Sequence, residues 1–325
     1  MNLNRSTPAT MSKTAFIFPG QGVQRVGMGR DLYDAFPAVR EWMDAASKAA
    51  GIDLVRLCFE GPENELTRTC NAQPAILAAS VAALIALREA LGQAGDALPA
   101  VTAGLSLGEY TALVCAGALT PTDGVRLVRQ RGLFMEEAGT AVGGTMASIL
   151  GLDREQVDAI CQEVDGLVVG ANYNAPGQIV ISGETAAVER AGALAKERGA
   201  RRVLPLNVSG AFHSPLMQPA ADRLAEVLNT TSLSDARIPV VANVHGEPVQ
   251  TASSIRTALL QQITGSVFWE DSVRRMAADG VTTFVEVGPG QVLSGLVRRI
   301  APETRTLQAG DVDSIAATAE ELRKA

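Results

Sequence analysis

The run Gly104-Leu105-Ser106-Leu107-Gly108 sets a serine between two glycines, after the apolar run from Pro99 to Gly104 and directly before a helical pattern from Leu107 to Cys115. This is G-x-S-x-G, a pattern common by chance, but in a strand, turn and helix it builds a nucleophile elbow. The glycines permit the sharp turn, and the helix start offers N–H groups to a developing oxyanion. A serine hydroxyl needs a base, and the chain holds two histidines, His213 and His245. His245 falls in Asn243-Val-His-Gly-Glu-Pro248, which is turn chemistry and predicts a solvent-facing ring. His213 falls in Ser209-Gly-Ala-Phe-His-Ser-Pro215, where the chain re-enters its larger part, and a cleft is expected there. It is the preferred base; a hydrogen-bonded structural histidine is the competing reading.

Two further features bear on chemistry. Phe18-Pro-Gly-Gln-Gly22 follows the first strand and can bring a backbone N–H toward the nucleophile, although alone it reads equally as a turn. It lacks the third glycine of G-x-G-x-x-G, and no phosphate-binding G-x-x-x-x-G-K-[ST] occurs. Arg131 sits in the middle of a helical stripe of Leu127, Val128, Phe134 and Met135. A guanidinium centred on an apolar face must meet an anion or reach out to water, so an internal ion pair, snorkelling and a ligand site all stay open.

The elements that must hold these residues follow from periodicity. Thr14 to Phe18 is a short apolar β-prone run ended by Pro19-Gly20, hence a buried strand of a parallel sheet. Helical patterns follow around Asp31 to Ala50 and Pro74 to Gly92, and another opens at Thr120-Pro121-Thr122-Asp123 with Thr120 as cap. From Thr145 to Asn207 the order is strand, helix, two strands, helix, strand, the split βαβ of ferredoxin-like units. Thereafter strands at Ile238 to Val244 and Thr283 to Val287 alternate with helices at Ser254 to Thr264 and Gly290 to Ile300. The expected fold is α/β: a large part with a parallel sheet over residues 11–141 and 209–325, interrupted by a small ferredoxin-like βαββαβ domain at 142–208. Residues 1–10 read as an extension without function.

Composition excludes whole classes of function. A formal charge of −7 and 4% aromatic residues leave neither a basic footprint nor a stacking surface for nucleic acid. Cys58, Cys70, Cys115 and Cys161 are scattered without a C-x-x-C pair, which implies reduced thiols and no zinc site. The N-terminal residues hold no signal-peptide core, and no apolar run reaches the roughly 18–20 residues of a membrane span, so a cytoplasmic protein without a membrane partner is expected.

Taken in order, Phe18-Pro-Gly-Gln-Gly22, Gly104-Leu-Ser-Leu-Gly-Glu-Tyr110, Arg131-Gly-Leu-Phe-Met135, Asn172-Tyr-Asn-Ala-Pro-Gly-Gln178, Gly210-Ala-Phe-His-Ser-Pro-Leu-Met217 and Glu286-Val-Gly-Pro-Gly290 resemble the malonyl-CoA:acyl carrier protein transacylases. The resemblance runs from about residue 14 to 300 and implies a large domain similar to α/β-hydrolases. It implies a ping-pong transfer through an acyl-serine at Ser106, with His213 as base and the backbone N–H groups of Gln21 and Leu107 as the oxyanion hole. Arg131 corresponds to the arginine that holds the malonyl carboxylate, and Gln262 to a residue whose main-chain carbonyl orients the histidine. Asn243 and Gln178 correspond to positions near the site. Phe212 resembles the pattern associated with malonyl over methylmalonyl.

The partners implied are malonyl-CoA, as a substrate, and acyl carrier protein, in fatty-acid or polyketide synthesis, with no bound cofactor or metal. One departure is Leu105, where many members carry histidine; altered packing is expected there. A serine hydrolase sharing the elbow and a silent carrier-binding scaffold are the alternatives. For an acidic carrier, the basic run Lys196, Arg198, Arg201 and Arg202 is the candidate docking patch at the cleft.

Overall fold

The computed structural model of the chain describes residues 13–92 and 99–324; the expected extension at 1–10 lies outside the described residues. Among the described residues there are ten strands: β1 (Lys13–Phe18), β2 (Val101–Gly104), β3 (Thr145–Leu150), β4 (Val168–Ala175), β5 (Gln178–Gly183), β6 (Arg202–Pro205), β7 (Val240–Val241), β8 (Pro248–Val249), β9 (Val281–Val287) and β10 (Arg305–Ala309). They form a six-stranded sheet of order β10-β9-β1-β2-β7-β8 and a four-stranded sheet of order β4-β5-β3-β6. In the first, every pairing from β10 to β7 is parallel, and only β8 runs antiparallel, at one edge.

β1 explains why the large sheet is buried on both sides. Side chains alternate across a strand, so Phe16 and Phe18 face one apolar cluster while Ala15 and Ile17 face the other. The first cluster is built on the helix Thr69–Ala90, the second on Trp269 and Phe284. Contrary to expectation, Thr69–Ala90 is long and apolar enough to cross a membrane, but 89% of its most apolar window is buried inside the fold, as befits a central core helix.

The four-stranded sheet covers one face with the helices Arg154–Glu163 and Thr185–Glu197, which bury Ile149, Val157, Ile160, Ile181, Val188 and Ala191. Its order is that of a ferredoxin-like unit. The opposite face carries Met146 and Val180, which join the main cluster, so this sheet turns one side toward the large one. A backbone bridge links the four-stranded sheet to the segment before the helix Trp269–Ala278: Tyr173 N–H donates to Val267 O at 2.9 Å, and Val267 N–H donates to Ala171 O at 2.8 Å.

Several elements differ from the sequence reading. The strand expected over Ile238 to Val244 pairs only at Val240–Val241, because beyond it the Asn243 N–H donates to Glu109 and its carbonyl accepts from Phe268. The helices Trp269–Ala278 and Val312–Lys324 and the strand β10 complete the large layer beyond the sequence expectation.

Candidate active site

β2 ends at Gly104, and the helix Leu107–Cys115 begins three residues later. The turn between them puts Ser106 at φ 51°, ψ −101°, a left-handed conformation that costs a non-glycine residue on the order of 1–3 kcal/mol. Both flanking glycines are required by space. A Cβ on Gly104 would lie 2.0 Å from the Gly108 backbone, and one on Gly108 would lie 2.1 Å from Phe18 O. Asn243 braces the strained turn from behind: its Oδ1 accepts Ser106 N–H at 2.6 Å, and its Nδ2 donates to Gly104 O at 2.7 Å.

His213 reaches this serine from the loop before the short helix Pro215–Met217, itself held at φ 57°. Its Nε2 lies 2.8 Å from Ser106 Oγ, and its Nδ1 lies 2.9 Å from Gln262 O. A carbonyl can only accept, so Nδ1 carries the proton and Nε2 is free to accept from the hydroxyl. Burial first, then the neighbouring Arg131 charge, push the His213 pKa down to about 4. The ring is thus neutral at neutral pH, as a base must be, and a backbone carbonyl fills the orienting place that a carboxylate takes in a Ser-His-Asp triad.

Arg131, on the helix Pro121–Val142, is 1% exposed yet does not snorkel. Its Nη1 donates to Gln73 Oε1 at 2.7 Å; its Nη2 donates to Gln262 Oε1 at 2.9 Å and to Ser106 Oγ at 3.1 Å. The guanidinium also lies 5.3 Å from the Tyr110 ring centre. A buried cation is therefore held by neutral acceptors within reach of the serine oxygen. Gln262 joins all of these groups, because its Nε2 donates to Ser106 O at 3.0 Å and to Glu109 Oε2 at 2.8 Å.

In front of Ser106 opens a cavity of about 360 Å³, lined among others by Gln21, Leu107, Arg131, Phe212, His213 and Gln178. Met146, Asn172 and Val180 of the four-stranded sheet form its far wall, and Val292 and Leu296 its near rim. The Gln21 side chain donates to Thr69 Oγ1 at 3.2 Å, which secures the loop after β1. Gln178 is held at the rim by Arg299. Asn243 and Gln262 are wholly buried behind the serine, outside the cavity lining. Leu105 lines the cavity and packs against the second apolar cluster. His245 stands apart on an exposed turn, where its Nδ1 accepts Glu247 N–H at 3.1 Å. The basic run does not line this cavity, and its Arg198 pairs with Glu163.

Two participants went unassigned in the sequence. Gln73 is a buried amide in a helix whose buried positions are mostly apolar, a detectable anomaly. Glu109 is 1% exposed, two positions inside a buried helix, and the same anomaly marks it.

The acyl transferase domain family matches residues 15–316. The chain belongs to the acyl transferase family. Among relatives, this acyltransferase is 46% identical over 317 residues to the malonyl CoA-acyl carrier protein transacylase of Bacillus subtilis (strain 168), covering 97% of this chain and 98% of that one. It is 48% identical over 314 residues to the enzyme of the same name from Escherichia coli (strain K12), covering 96% and 100%. Among solved structures it is similar to the acyl-carrier-protein S-malonyltransferase of Burkholderia pseudomallei, with a TM-score of 0.89, 43% identity, and 95% and 99% of the two chains covered. It is equally similar, at TM-score 0.89 and 44% identity over 95% and 100%, to a malonyl-transacylase solved in complex with a type II PKS acyl-carrier protein.

Proposed function

We propose that this acyltransferase moves a malonyl group from malonyl-CoA to the phosphopantetheine thiol of acyl carrier protein through a malonyl-serine at Ser106. The observation that carries the reading is the buried Arg131 guanidinium, 3.1 Å from the Ser106 hydroxyl, with its Nη1 and Nη2 donating to neutral acceptors. An incoming carboxylate would convert those contacts into a charge-assisted pair.

In the first half-reaction Ser106 Oγ attacks the thioester carbonyl while His213 Nε2 takes the hydroxyl proton. Negative charge on the carbonyl oxygen is met by the N–H groups of Gln21 and Leu107, the latter at the positive end of its helix. As the tetrahedral adduct collapses, the C–S bond breaks and His213 returns the proton to the coenzyme A thiolate. The second half-reaction reverses these steps with the carrier thiol as nucleophile. Phe212 narrows the acyl end of the pocket, and Gln178 and Asn172 sit where the pantetheine arm passes.

The division at residues 142 and 208 makes the inserted unit one wall of the cleft, and the enzyme acts in the cytoplasm. No resident cofactor or metal enters the proposal. Incubation with malonyl-CoA followed by intact-mass measurement tests it: a stable malonyl adduct that discharges onto holo-carrier supports transfer, whereas rapid release of free malonate identifies a hydrolase. Because one similar structure holds a type II PKS carrier, both fatty-acid and polyketide carriers belong in the assay.

A further inference from the structure

We propose that Glu109 is a positioning residue that serves as the counter-charge of Arg131, so that the grip of Arg131 on an acyl carboxylate depends on whether Glu109 is ionised. The inference rests on the reading that Arg131 receives that carboxylate. Glu109 is not among the residues that line the cavity, and its carboxylate contacts only groups behind the serine, Asn243 and Gln262. Its Oε2 accepts the Asn243 N–H at 3.0 Å and the Gln262 Nε2–H at 2.8 Å, while the other end of the same Gln262 amide accepts from Arg131 at 2.9 Å. One amide thus lies between a buried cation and a buried carboxylate, its dipole aligned with both. Arg131 keeps its Nη1 and Nη2 on neutral, replaceable acceptors, and its compensating charge stands one amide away.

This arrangement has a consequence for selection. A malonyl carboxylate on Arg131 would share one cation with Glu109, and two anions that close disfavour each other. Neutral Glu109 removes the competitor. A proton on Oε1 leaves both Oε2 hydrogen bonds in place, so the bracing of Asn243 and Gln262 survives and only the charge changes. The groups facing Glu109 are Tyr110 on its own helix, Arg131 on the helix Pro121–Val142 and, across Gln262, His213; the remaining neighbours are the amides of Asn243 and Gln262. Burial raises the Glu109 carboxyl to about 7, with the Asn243 and Gln262 hydrogen bonds and the Arg131 charge opposing. Tyr110 stands at about 12 and His213 at about 4, so neither titrates near neutrality.

The sign follows from linkage. Malonyl binding favours protonated Glu109, so preference for malonyl is greatest below the Glu109 titration and falls as pH rises through it. Acetyl carries no carboxylate and is indifferent. The readout is the ratio of kcat/KM for malonyl-CoA to that for acetyl-CoA, in which titrations of the shared coenzyme A cancel. Between roughly pH 5.5 and 8.5 that ratio should fall on the order of ten-fold in the wild type and stay flat in Glu109→Gln. A flat wild-type ratio overturns the proposal even if the variant fails to fold, and so does a slope that persists in Glu109→Gln. A purely structural Glu109 would lower both substrates together and leave the wild-type ratio level. Arg131→Ala separates the two readings: if it leaves the ratio unchanged at every pH, the carboxylate assignment has failed, whereas a collapsed ratio beside a flat wild-type profile sinks only the role of Glu109.

Discussion

At the scale of the residue, the chemistry reduces to a hydroxyl 2.8 Å from a neutral imidazole and 3.1 Å from a guanidinium. Ser106→Ala removes the only group proposed to carry the acyl chain, and intact-mass measurement should find no malonyl adduct. His213→Ala should slow loading by about 10²-fold or more, the scale of lost general-base catalysis, while His245→Ala, on its exposed turn, should load at the wild-type rate. Because burial and Arg131 hold His213 down at about 4, acetyl loading should be lost only as pH falls through that value, where the imidazole takes a proton and can no longer accept one. A loading limb near the ordinary histidine range would mean the ring is less buried in solution than here. Arg131→Ala should narrow the malonyl preference over acetyl by roughly ten- to a hundred-fold, the equivalent of about 1.5–3 kcal/mol for a hydrogen bond to a charged group, as read from the two kcat/KM values. Lysine should restore part of this, since it supplies charge without the planar fork.

At the scale of the element, what the sequence reveals depends on whether the cause is local. β1, the elbow helix Leu107–Cys115 and the cap at Thr120, whose Oγ1 accepts Asp123 N–H at 3.2 Å, follow from short patterns and were legible. So was the strand and helix order from Thr145 to Pro205, where period and turn residues agree. The short β7 was not, because the ladder stops where Glu109 and Phe268 claim the Asn243 backbone, and both lie far away in sequence. The hub of Gln262 illustrates the same limit: its side chain meets Ser106 and Glu109 on the elbow and Arg131 on the helix Pro121–Val142, and no spacing rule connects Gln262 to either segment. The elbow glycines act at this scale too. With Phe18 O 2.1 Å from the place a methyl would occupy, Gly108→Ala must push β1 from the helix, a cost of about 1–3 kcal/mol or more as overpacking. A lowered thermal midpoint together with lost loading is the expected result, whereas unchanged values would mean the turn has slack that these distances deny.

At the scale of the whole molecule, the site divides its labour between two sheets. Ser106, His213, Arg131, Gln262 and Glu109 all belong to segments of the large layer, whereas Met146, Asn172, Gln178 and Val180 bring the far wall from the four-stranded sheet. The wall is tied down at more than one place: Arg299 donates to Gln178 and to Pro176 O, and a second tie is the backbone bridge at Val267 together with Phe268, whose ring stacks on Tyr173 at 5.2 Å between centroids with Arg154 over both rings. Removing that ring should loosen the wall without touching the acyl-selecting groups. Phe268→Ala forfeits an aromatic pair worth about 0.5–1.5 kcal/mol beyond its buried area, together with a cation–π contact. A looser wall holds the long pantetheine arm less well, and that arm is common to every coenzyme A thioester. KM should therefore rise for malonyl-CoA and acetyl-CoA alike, by several-fold, with their kcat/KM ratio preserved, the reverse of the Arg131→Ala signature. Steady-state kinetics on both thioesters in the two variants decide the matter: a ratio that shifts in Phe268→Ala would mean that the position of the wall helps to choose the acyl group, and that selection is a property of both sheets together.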